Sequence, residues 1–181
     1  TQNKKVGGAK VLVLRFPEFS GAWEETKLGS IGDVVMCKRV MKYQASSSGD
    51  VPFFKIGTFG RRPDAFIKQE LYEDYKRRYP FPKEGAILIS ASGTIGRTVV
   101  YDGKPAYFQD SNIIWFDNSE HVITNNFLSY LYTKVKWPTA SATIARLYNS
   151  AFKGIKVNTP SIPEQQKIAD FLGVVDERIE G

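Results

Sequence analysis

Small hydrogen-bonding side chains and one arginine interrupt the apolar runs in the middle of the sequence. Residues 90–94 (SASGT) combine hydroxyl groups with Gly93, which adopts backbone angles that other residues resist. Arg97 follows this loop, and residues 109–112 (QDSN) lie inside a later apolar run. Such loops can approach a polar surface closely, while the flanking strands hold them in place. The chemistry that this pattern indicates is hydrogen bonding to a polar partner.

The charge balance favours a polyanionic partner. The 181 residues include 25 Lys and Arg against 19 Asp and Glu, which gives a net charge of +6. An excess of this size is also common among ordinary soluble proteins, so charge alone does not identify the partner. A hydrophobic content of 42%, with 13% aromatic residues, is ample for a packed interior and argues against wholesale disorder.

Several kinds of catalytic and metal site are disfavoured by the sequence. With only Cys37 and His121, the chain cannot form an internal disulfide and lacks the ligands of a Cys/His zinc site. Residues 93–97 (GTIGR) lack the glycine spacing and the Lys-Ser/Thr ending of a P-loop. His121 has no partner in the sequence with which to activate a nucleophile. These residues therefore give only weak support to an enzyme and none to a Cys/His zinc site.

The sequence also bears on the compartment. No segment has the length of apolar sequence needed to cross a bilayer, and no signal peptide opens the chain. A reducing, cytoplasmic setting is therefore the expectation. Cys37, which lies between an apolar and a basic neighbour, is expected to be a packed or surface thiol.

Short strands and helical segments alternate along the chain, and this predicts an α+β fold. The expected organisation is a flexible terminus (1–10), a domain with a mixed, twisted β-sheet and short helices (11–159), and a C-terminal amphipathic helix (160–181). Strands are predicted at 53–56, 86–89, 95–101, 107–116 and 156–159. Helices are predicted at 70–79 and 125–135, with shorter ones at 27–35 and 144–153.

The C-terminal helix is predicted from its first turn and from its apolar pattern. Ser161 and Glu164 have the spacing of a capping box, and Pro163 is tolerated in a first helical turn. Apolar residues then recur at helical spacing, namely Ile168, Phe171, Leu172, Val175 and Ile179. In an ordinary helix such a stripe is more often core than partner surface. Here it runs to the end of the sequence, so we expect a helix that either is longer in the parent protein or packs against a partner.

Three motifs occur in a fixed order along the chain. They are LRFPEF-x-G-x-W at 14–23, ILIS-x-x-GTIGR at 87–97 and P-x-IPEQQKIADFL at 160–172, and Gln109-Asp110 adds a Q-D pair. In this order and spacing they resemble the specificity (S) subunits of type I restriction–modification systems, over essentially the whole chain. The chain resembles one half of such a subunit, with one target-recognition domain and the opening of one conserved helix.

The resemblance implies a function and a set of partners. A specificity subunit performs no catalysis and directs methyltransferase (M) and restriction (R) subunits to a bipartite site on double-stranded DNA. S-adenosylmethionine, ATP and Mg²⁺ are expected on those partner subunits, and none is expected in this chain. The two conserved helices of a whole subunit pack antiparallel and set the distance between half-sites. A second half-subunit, or a second copy of this chain, is therefore expected on the C-terminal helix.

The resemblance also selects candidate contacts to DNA. Contacts from Lys and Arg to phosphates supply affinity and register, whereas contacts to base edges supply discrimination. The candidate phosphate contacts are Lys55, Arg61, Arg62, Lys76, Arg77, Arg78, Arg146 and Lys153. Each could equally be a solvated surface charge, and the cations at 76–78 can instead complement a helix C-terminus. Arg61 and Arg62 are the strongest pair, because neighbouring glycines place them on a loop.

Polar residues in or beside the loops are the candidate base contacts, since Arg and Lys suit guanine while Asn and Gln suit adenine in the major groove. They are Thr58, Ser92, Thr94, Arg97, Gln109 and Asn112. The hydroxyls at 92 and 94 can instead satisfy turn amides, and Gln109 can form an internal pair with Asp110. We expect direct base contact from 42–62 rather than from 90–97.

One further alternative stays open on the sequence alone. The chain could be an RNA-binding domain or a protein-interaction scaffold without DNA sequence specificity. Readers of RNA expose aromatic side chains for stacking, and the twelve Phe and nine Tyr residues would allow it.

Overall fold

The computed structural model describes residues 2–6, 9–13, 15–137, 147 and 149–180. Twelve strands and four α-helices lie in these ranges, with two 3₁₀ turns at Leu28–Ser30 and Lys42–Gln44. The strands are β1 (Gln2–Val6), β2 (Ala9–Val13), β3 (Glu24–Lys27), β4 (Gly32–Val35), β5 (Ala45–Ser46), β6 (Val51–Phe54), β7 (Phe66–Ile67), β8 (Ile87–Ser90), β9 (Thr98–Val100), β10 (Tyr107–Phe108), β11 (Ile113–Asn118) and β12 (Lys156–Thr159). The helices are α1 (Gln69–Arg78), α2 (Asn125–Tyr132), α3 (Asn149–Lys153) and α4 (Ile162–Glu180). The predicted α+β class is confirmed.

A four-stranded antiparallel sheet divides the protein into two cores. Its strand order is β4-β11-β8-β9, and all four residues of β8 are buried. Successive side chains of a strand point to opposite faces, so a wholly apolar strand can serve a core on each side. Leu88 accordingly packs into one core, whereas its neighbours Ile87 and Ile89 pack into the other.

The first core lies between this sheet and a second one. The second sheet has the order β10-β6-β7-β5, in which β10 runs parallel to β6 and the other pairs are antiparallel. Its buried side chains include Val51, Phe53 and Ile67, and α1 adds Tyr72. The parallel pairing of β6 with β10 matters for the site, because it brings the residues that follow both strands to the same edge.

The second core packs the three C-terminal helices against the first sheet. Phe127 and Leu128 of α2 and Phe152 of α3 are buried there together with Leu28. The two-stranded ladder of β3 and β12 flanks this core, with Thr159 opposite Glu24 and Lys156 opposite Lys27. α4 follows β12 directly and packs against α2.

Several elements differ from the sequence prediction. The segment 27–35 is a 3₁₀ turn followed by β4, rather than a helix, because Gly32 lets β4 approach β11 closely: a Cβ there would lie 2.5 Å from the backbone oxygen of Asp117. The strand predicted at 95–101 is reduced to β9, since Gly96 has φ +84°. The strand predicted at 107–116 is split by a turn in which Ser111 has φ 62°. These turns are set by backbone angles, which apolar runs do not reveal.

The first residues of the chain form strands that the sequence analysis did not predict. Over the predicted loose terminus, β1 and β2 form an antiparallel ladder in which Lys5 lies opposite Lys10. Such pairing uses backbone groups, which a prediction from composition does not weigh. Of the helix predicted at 144–153, the described part is α3.

Candidate nucleic-acid interface

A tight turn follows β6 and carries two exposed arginines. The Thr58 hydroxyl accepts a hydrogen bond from the Lys55 amide at 3.1 Å and donates to the Lys55 carbonyl at 3.2 Å. Thr58 therefore holds the turn, whereas the sequence analysis had named it only as a candidate base contact. Arg61 and Arg62 lie beyond Gly60, whose φ of +70° turns the chain, and neither forms an ion pair with a described residue. Their side chains are exposed and available to a polyanion.

A second loop, 90–97, is closed from beneath by buried groups. The fully buried Ser90 hydroxyl donates to the Thr94 carbonyl at 2.5 Å and accepts from the Arg97 amide at 2.9 Å. Trp137 packs against Gly96 so closely that a Cβ there would lie 2.2 Å from the indole nitrogen. The tip at Gly93 and Thr94 is exposed. The loop is thus a fixed protrusion rather than a flexible connection.

The third loop, 109–112, joins β10 to β11 and connects the other two. Gln109 accepts a hydrogen bond from the Ile56 amide at 2.9 Å through its side chain, so it is tied to the first loop. Asn112 accepts from the Ser92 hydroxyl at 2.9 Å, which ties it to the second. Arg97 completes the connections by donating to the Ile56 carbonyl at 3.2 Å and lying 5.5 Å from the centre of the Phe59 ring.

We call residues 55–62, 90–97 and 109–112 the loop cluster. It brings together nine of the residues predicted to contact DNA: Lys55, Thr58, Arg61, Arg62, Ser92, Thr94, Arg97, Gln109 and Asn112. Within it Thr58, Gln109 and Arg97 are committed to internal contacts, whereas Thr94 forms no side-chain hydrogen bond with a described residue. The groups free to meet a ligand are therefore at the tips, and the groups beneath them keep the tips in place.

The cluster is bordered by a cation that the sequence prediction missed. Arg39 donates from Nε to the Asp110 carboxylate at 2.8 Å. Together with Lys55, Gln109 and Asn112, these two residues line a groove of about 310 Å³. Lys55 is paired with Asp64 at 2.9 Å. In the sequence, Arg39 lies in the segment from Cys37 to Arg39, shortly after β4. This segment belongs to no motif, so the sequence did not indicate a DNA contact at this position.

The remaining predicted phosphate contacts are not part of the loop cluster. Arg77 and Arg78 are both paired with Asp74 on α1, at 2.9 Å and 3.0 Å, while Lys76 lies against aromatic rings of its own helix and the segment after it. Lys153 is paired with Asp33 at 2.5 Å. Asp33 of β4 lies opposite Asp117 of β11. Asp117 is five residues from Asn112, which corresponds to about 17 Å along an extended strand. Arg146 lies outside the described residues.

The first turn of α4 is built into the domain. Glu164 accepts hydrogen bonds from Nε and Nη2 of Arg15, each at 2.6 Å, and from the Trp23 indole at 3.2 Å, and its side chain is 2% exposed. This contact raises the pKa of Arg15, because the charged guanidinium is held by the carboxylate. The first and last predicted motifs are thus joined in space. The capping box proposed for Ser161 and Glu164 is replaced by this pairing.

Gln165 fixes the same turn from the other side. It is fully buried, donates from Nε2 to the Val122 and Pro160 carbonyls at 2.8 Å and 2.9 Å, and accepts from the Thr124 amide at 2.9 Å. Thr124 is the N-cap of α2. One side chain therefore sets the start of α4 relative to the start of α2.

The predicted apolar stripe of α4 divides between two environments. Ile168 packs on the second core and Leu172 is half-buried, so part of the stripe belongs to the domain. Phe171 is exposed beyond its edge contact with Phe16, at 5.9 Å between ring centres, and Ile179 is 77% exposed. Val174, which the prediction omitted, is also exposed. The contacts of the first turns cross the domain boundary drawn at 159/160, while the distal half of α4 offers apolar surface.

Two further observations concern other kinds of site. Cys37 is buried in the first core, and burial raises the pKa of its thiol to about 12, so the thiol is a packed group. The described ranges contain no group of three or more His, Cys, Asp or Glu side chains able to hold a metal ion. No helix within them has the length and apolar character needed to cross a membrane.

Comparison with known proteins gives concordant matches. The model of the family described as "Type I restriction modification DNA specificity domain" matches residues 21–181. A relative from Haemophilus influenzae, S.HindORF215P, is named as a type I restriction enzyme specificity subunit; it is 54% identical over 147 residues, which are 81% of this chain and 38% of that protein. The chain thus spans well under half the length of this relative.

Solved structures agree on the fold. A chain from a study of "complex assembly and conformational transition of the type I R-M system" superposes with a TM-score of 0.69 at 16% identity, covering 90% of this chain and 40% of that one. The S subunit of a type I restriction–modification system from M. genitalium gives 0.62 at 17% identity, with coverage of 91% and 42%. The HsdS subunit from Thermoanaerobacter tengcongensis gives 0.64 at 16% identity, with coverage of 91% and 40%.

Proposed function

Because the chain belongs to the family of type I restriction modification DNA specificity domains, we propose that it is a non-catalytic module that recognises a DNA sequence, equivalent to one half of a specificity subunit. The observation that carries this proposal is the convergence of three loops, from separate parts of the chain, on one edge of the fold. Their bases are held by partly buried hydrogen bonds, and their tips present hydroxyls and cations. A rigid polar edge of this kind suits a duplex, whose grooves admit fixed protrusions.

The loop cluster divides naturally into positioning and reading groups. Arg61 and Arg62, exposed and without a carboxylate partner among the described residues, suit phosphates, for which a mobile charge is sufficient. Thr94 at the tip of its loop suits a base edge, although the sequence favoured 42–62 for this role. The Nδ2 group of Asn112 beside the groove suits one as well, because Ser92 engages only the side-chain oxygen. Arg97, Thr58 and Gln109 support these groups from within.

The distal half of α4 is proposed to join a second module. Phe171, Val174 and Ile179 expose apolar side chains on a helix whose first turns are fixed in the domain. A second conserved helix, from another half-subunit or a second copy of this chain, would cover this surface. Two modules joined in this way would read the two halves of a bipartite site.

The other partners follow from the proposed place in a complex. Methyltransferase and restriction subunits would bind the assembled specificity subunit and carry S-adenosylmethionine, ATP and Mg²⁺. The chain would then select the site, and the partner subunits would perform the reactions.

Duplex binding by charge-reversed variants tests the proposal. Arg61→Glu with Arg62→Glu should weaken the binding of every duplex alike and lower the slope of log K against log salt by about 2, because each lost phosphate contact contributes about 0.9. Lys27→Glu with Lys156→Glu is the matched control, with the same change in net charge on the β3–β12 ladder. Equal losses in the two double variants would refute the interface, and so would binding of the unaltered chain that does not change with salt.

A further inference from the structure

Building on the proposed function, we propose that Arg39 is a specificity-determining residue that reads a guanine in the major groove and that Asp110 is its positioning residue. Neither residue belongs to the set that the sequence predicted to contact DNA. Three observations support the proposal. They are the Arg39 nitrogen that donates to the carboxylate, the contacts that hold the carboxylate in place, and the different contacts of the other arginines.

The contact between the two side chains leaves the reading end of the arginine free. Of the Arg39 nitrogens, only Nε donates to Asp110, at 2.8 Å, and no described residue accepts from either Nη. The Arg39 side chain is 65% exposed, whereas that of Asp110 is 15% exposed. A guanidinium presents its N–H groups in a planar fork, and two of them match O6 and N7 of guanine. The Nη atoms of Arg39 are therefore unengaged among the described residues, while the bond at Nε restrains the plane of the guanidinium.

Asp110 is itself firmly placed. Its carboxylate accepts from the Ser111 hydroxyl at 3.2 Å, and its backbone carbonyl accepts from the Asn112 amide at 2.7 Å. The backbone N–H of the preceding residue, Gln109, donates to the Phe54 carbonyl at 2.9 Å. The carboxylate thus belongs to a turn that two neighbouring strands hold, and it can orient a long side chain without moving with it.

The other described arginines lack this combination. Arg77 and Arg78 use their Nη atoms on Asp74, and Arg97 uses one on the Ile56 carbonyl. Arg15 gives both Nε and Nη2 to Glu164. Arg61 and Arg62 after Gly60, and Arg178 near the end of α4, are free but have no described carboxylate to orient them. In the part of the chain that the structure describes, only Arg39 pairs an oriented plane with a free fork.

The carboxylate also argues for a base rather than a phosphate as the ligand. Asp110 offsets much of the charge of Arg39, which lowers its attraction for a phosphate. Orientation is what remains, and orientation matters for bidentate pairing with a base edge. The groove that Arg39 and Asp110 share with Lys55 and Asn112 provides other donors and acceptors beside the same base pair.

Selection from a randomised duplex library at low salt tests the assignment. The unaltered chain should enrich a sequence that contains at least one guanine, and Arg39→Gln should lose the preference at one such position by about 5- to 150-fold. Arg39→Lys should lose only part of this preference, because an ammonium group can donate to guanine but lacks the planar fork. Arg39→Lys keeps the charge and lacks the fork, so its total duplex binding and salt slope should stay those of the unaltered chain. Asp110→Asn should reduce the preference at the same position without changing the base. Arg77→Gln, which removes an arginine paired with a carboxylate outside the loop cluster, should leave every position unchanged.

Each contrary outcome is distinct. Full preference in Arg39→Gln together with a salt slope lowered by about 1 would make Arg39 a phosphate contact and overturn the assignment. Unchanged enrichment in both Arg39 variants would also overturn it, while the proposed function would stand. If the unaltered chain enriched no sequence at all, the proposed function itself would fail, and the assignment with it.

Discussion

Gln165→Leu should destabilise the whole domain, although the substituted residue lies outside the loop cluster. The side chain of Gln165 is fully buried and makes three hydrogen bonds to backbone groups of the α2 and α4 starts. Leucine has a similar volume and cannot make any of them. The Val122 and Pro160 carbonyls and the Thr124 amide would then lose this partner, in a site where the bond to Pro160 is buried and the other two are partly buried.

The magnitude follows from these three groups. A buried polar group left unpaired costs about 1–3 kcal/mol, so three would cost about 3–9 kcal/mol if none found another partner. The greater hydrophobicity of leucine and local relaxation recover part of this, which leaves a net loss of about 2–5 kcal/mol. For a domain of this size that loss corresponds to a fall in Tm of about 5–15 °C.

Urea denaturation followed by circular dichroism, with a thermal scan beside it, measures the effect. Gln166→Leu is the matched control, because the neighbouring glutamine is exposed and bonds only to Asp170 among the described residues. It should change the free energy of unfolding by no more than about 0.5 kcal/mol. A Gln165 variant as stable as the unaltered chain, or a control equally destabilised, would refute the reasoning that α4 is anchored through this side chain.

Two further predictions concern the cores and the loop cluster. Because burial raises the pKa of Cys37 to about 12, its reaction with Ellman's reagent at pH 8 should be at least about 100-fold slower in the native chain than in denaturant. Fast labelling of the native chain would contradict the burial. The unfolded thiol ionises at a lower pH than the native one, so the stability that Cys37 contributes should be present below about pH 9 and decline as the pH rises towards 12. Cys37→Ala should reduce that decline. Gly96→Ala should lower the free energy of unfolding by about 1–3 kcal/mol, because φ is +84° and the new Cβ would meet Trp137. Gly57→Ala, with no atom within 4 Å, is its control in a denaturant titration, and equal midpoints for the two variants would contradict the close packing beneath the loop.

The parts of the fold that follow from local pattern were predictable from the sequence. The apolar runs that became β8 and β11 indicated strands, and the spacing in α2 and α4 indicated helices. The split of 107–116 into two strands was not predictable in this way. It depends on a turn in which a residue other than glycine has a positive φ, and the hydrophobic pattern continues across it.

The candidate site was predictable as a set of loops but not as a set of roles. Arg97 and Gln109 have the side chains expected of base readers, yet both bond to the backbone at Ile56 in a different loop. Arg39 was missed for the same reason, since its meaning depends on Asp110, 71 residues away. A side chain's role depends on neighbours in space, and spacing along the chain reports only neighbours in sequence.

The bond between Arg15 and Glu164 has a consequence for exchanging recognition modules between relatives. These residues lie 149 positions apart, yet their side chains meet, so the chain enters and leaves the domain at almost one point. A cassette cut before Arg15 and after Leu172 carries both partners with it, together with the turns of α4 that pack on the domain. A graft that breaks the sequence between them pairs an arginine from one parent with a helix start from the other, and must match the two by design.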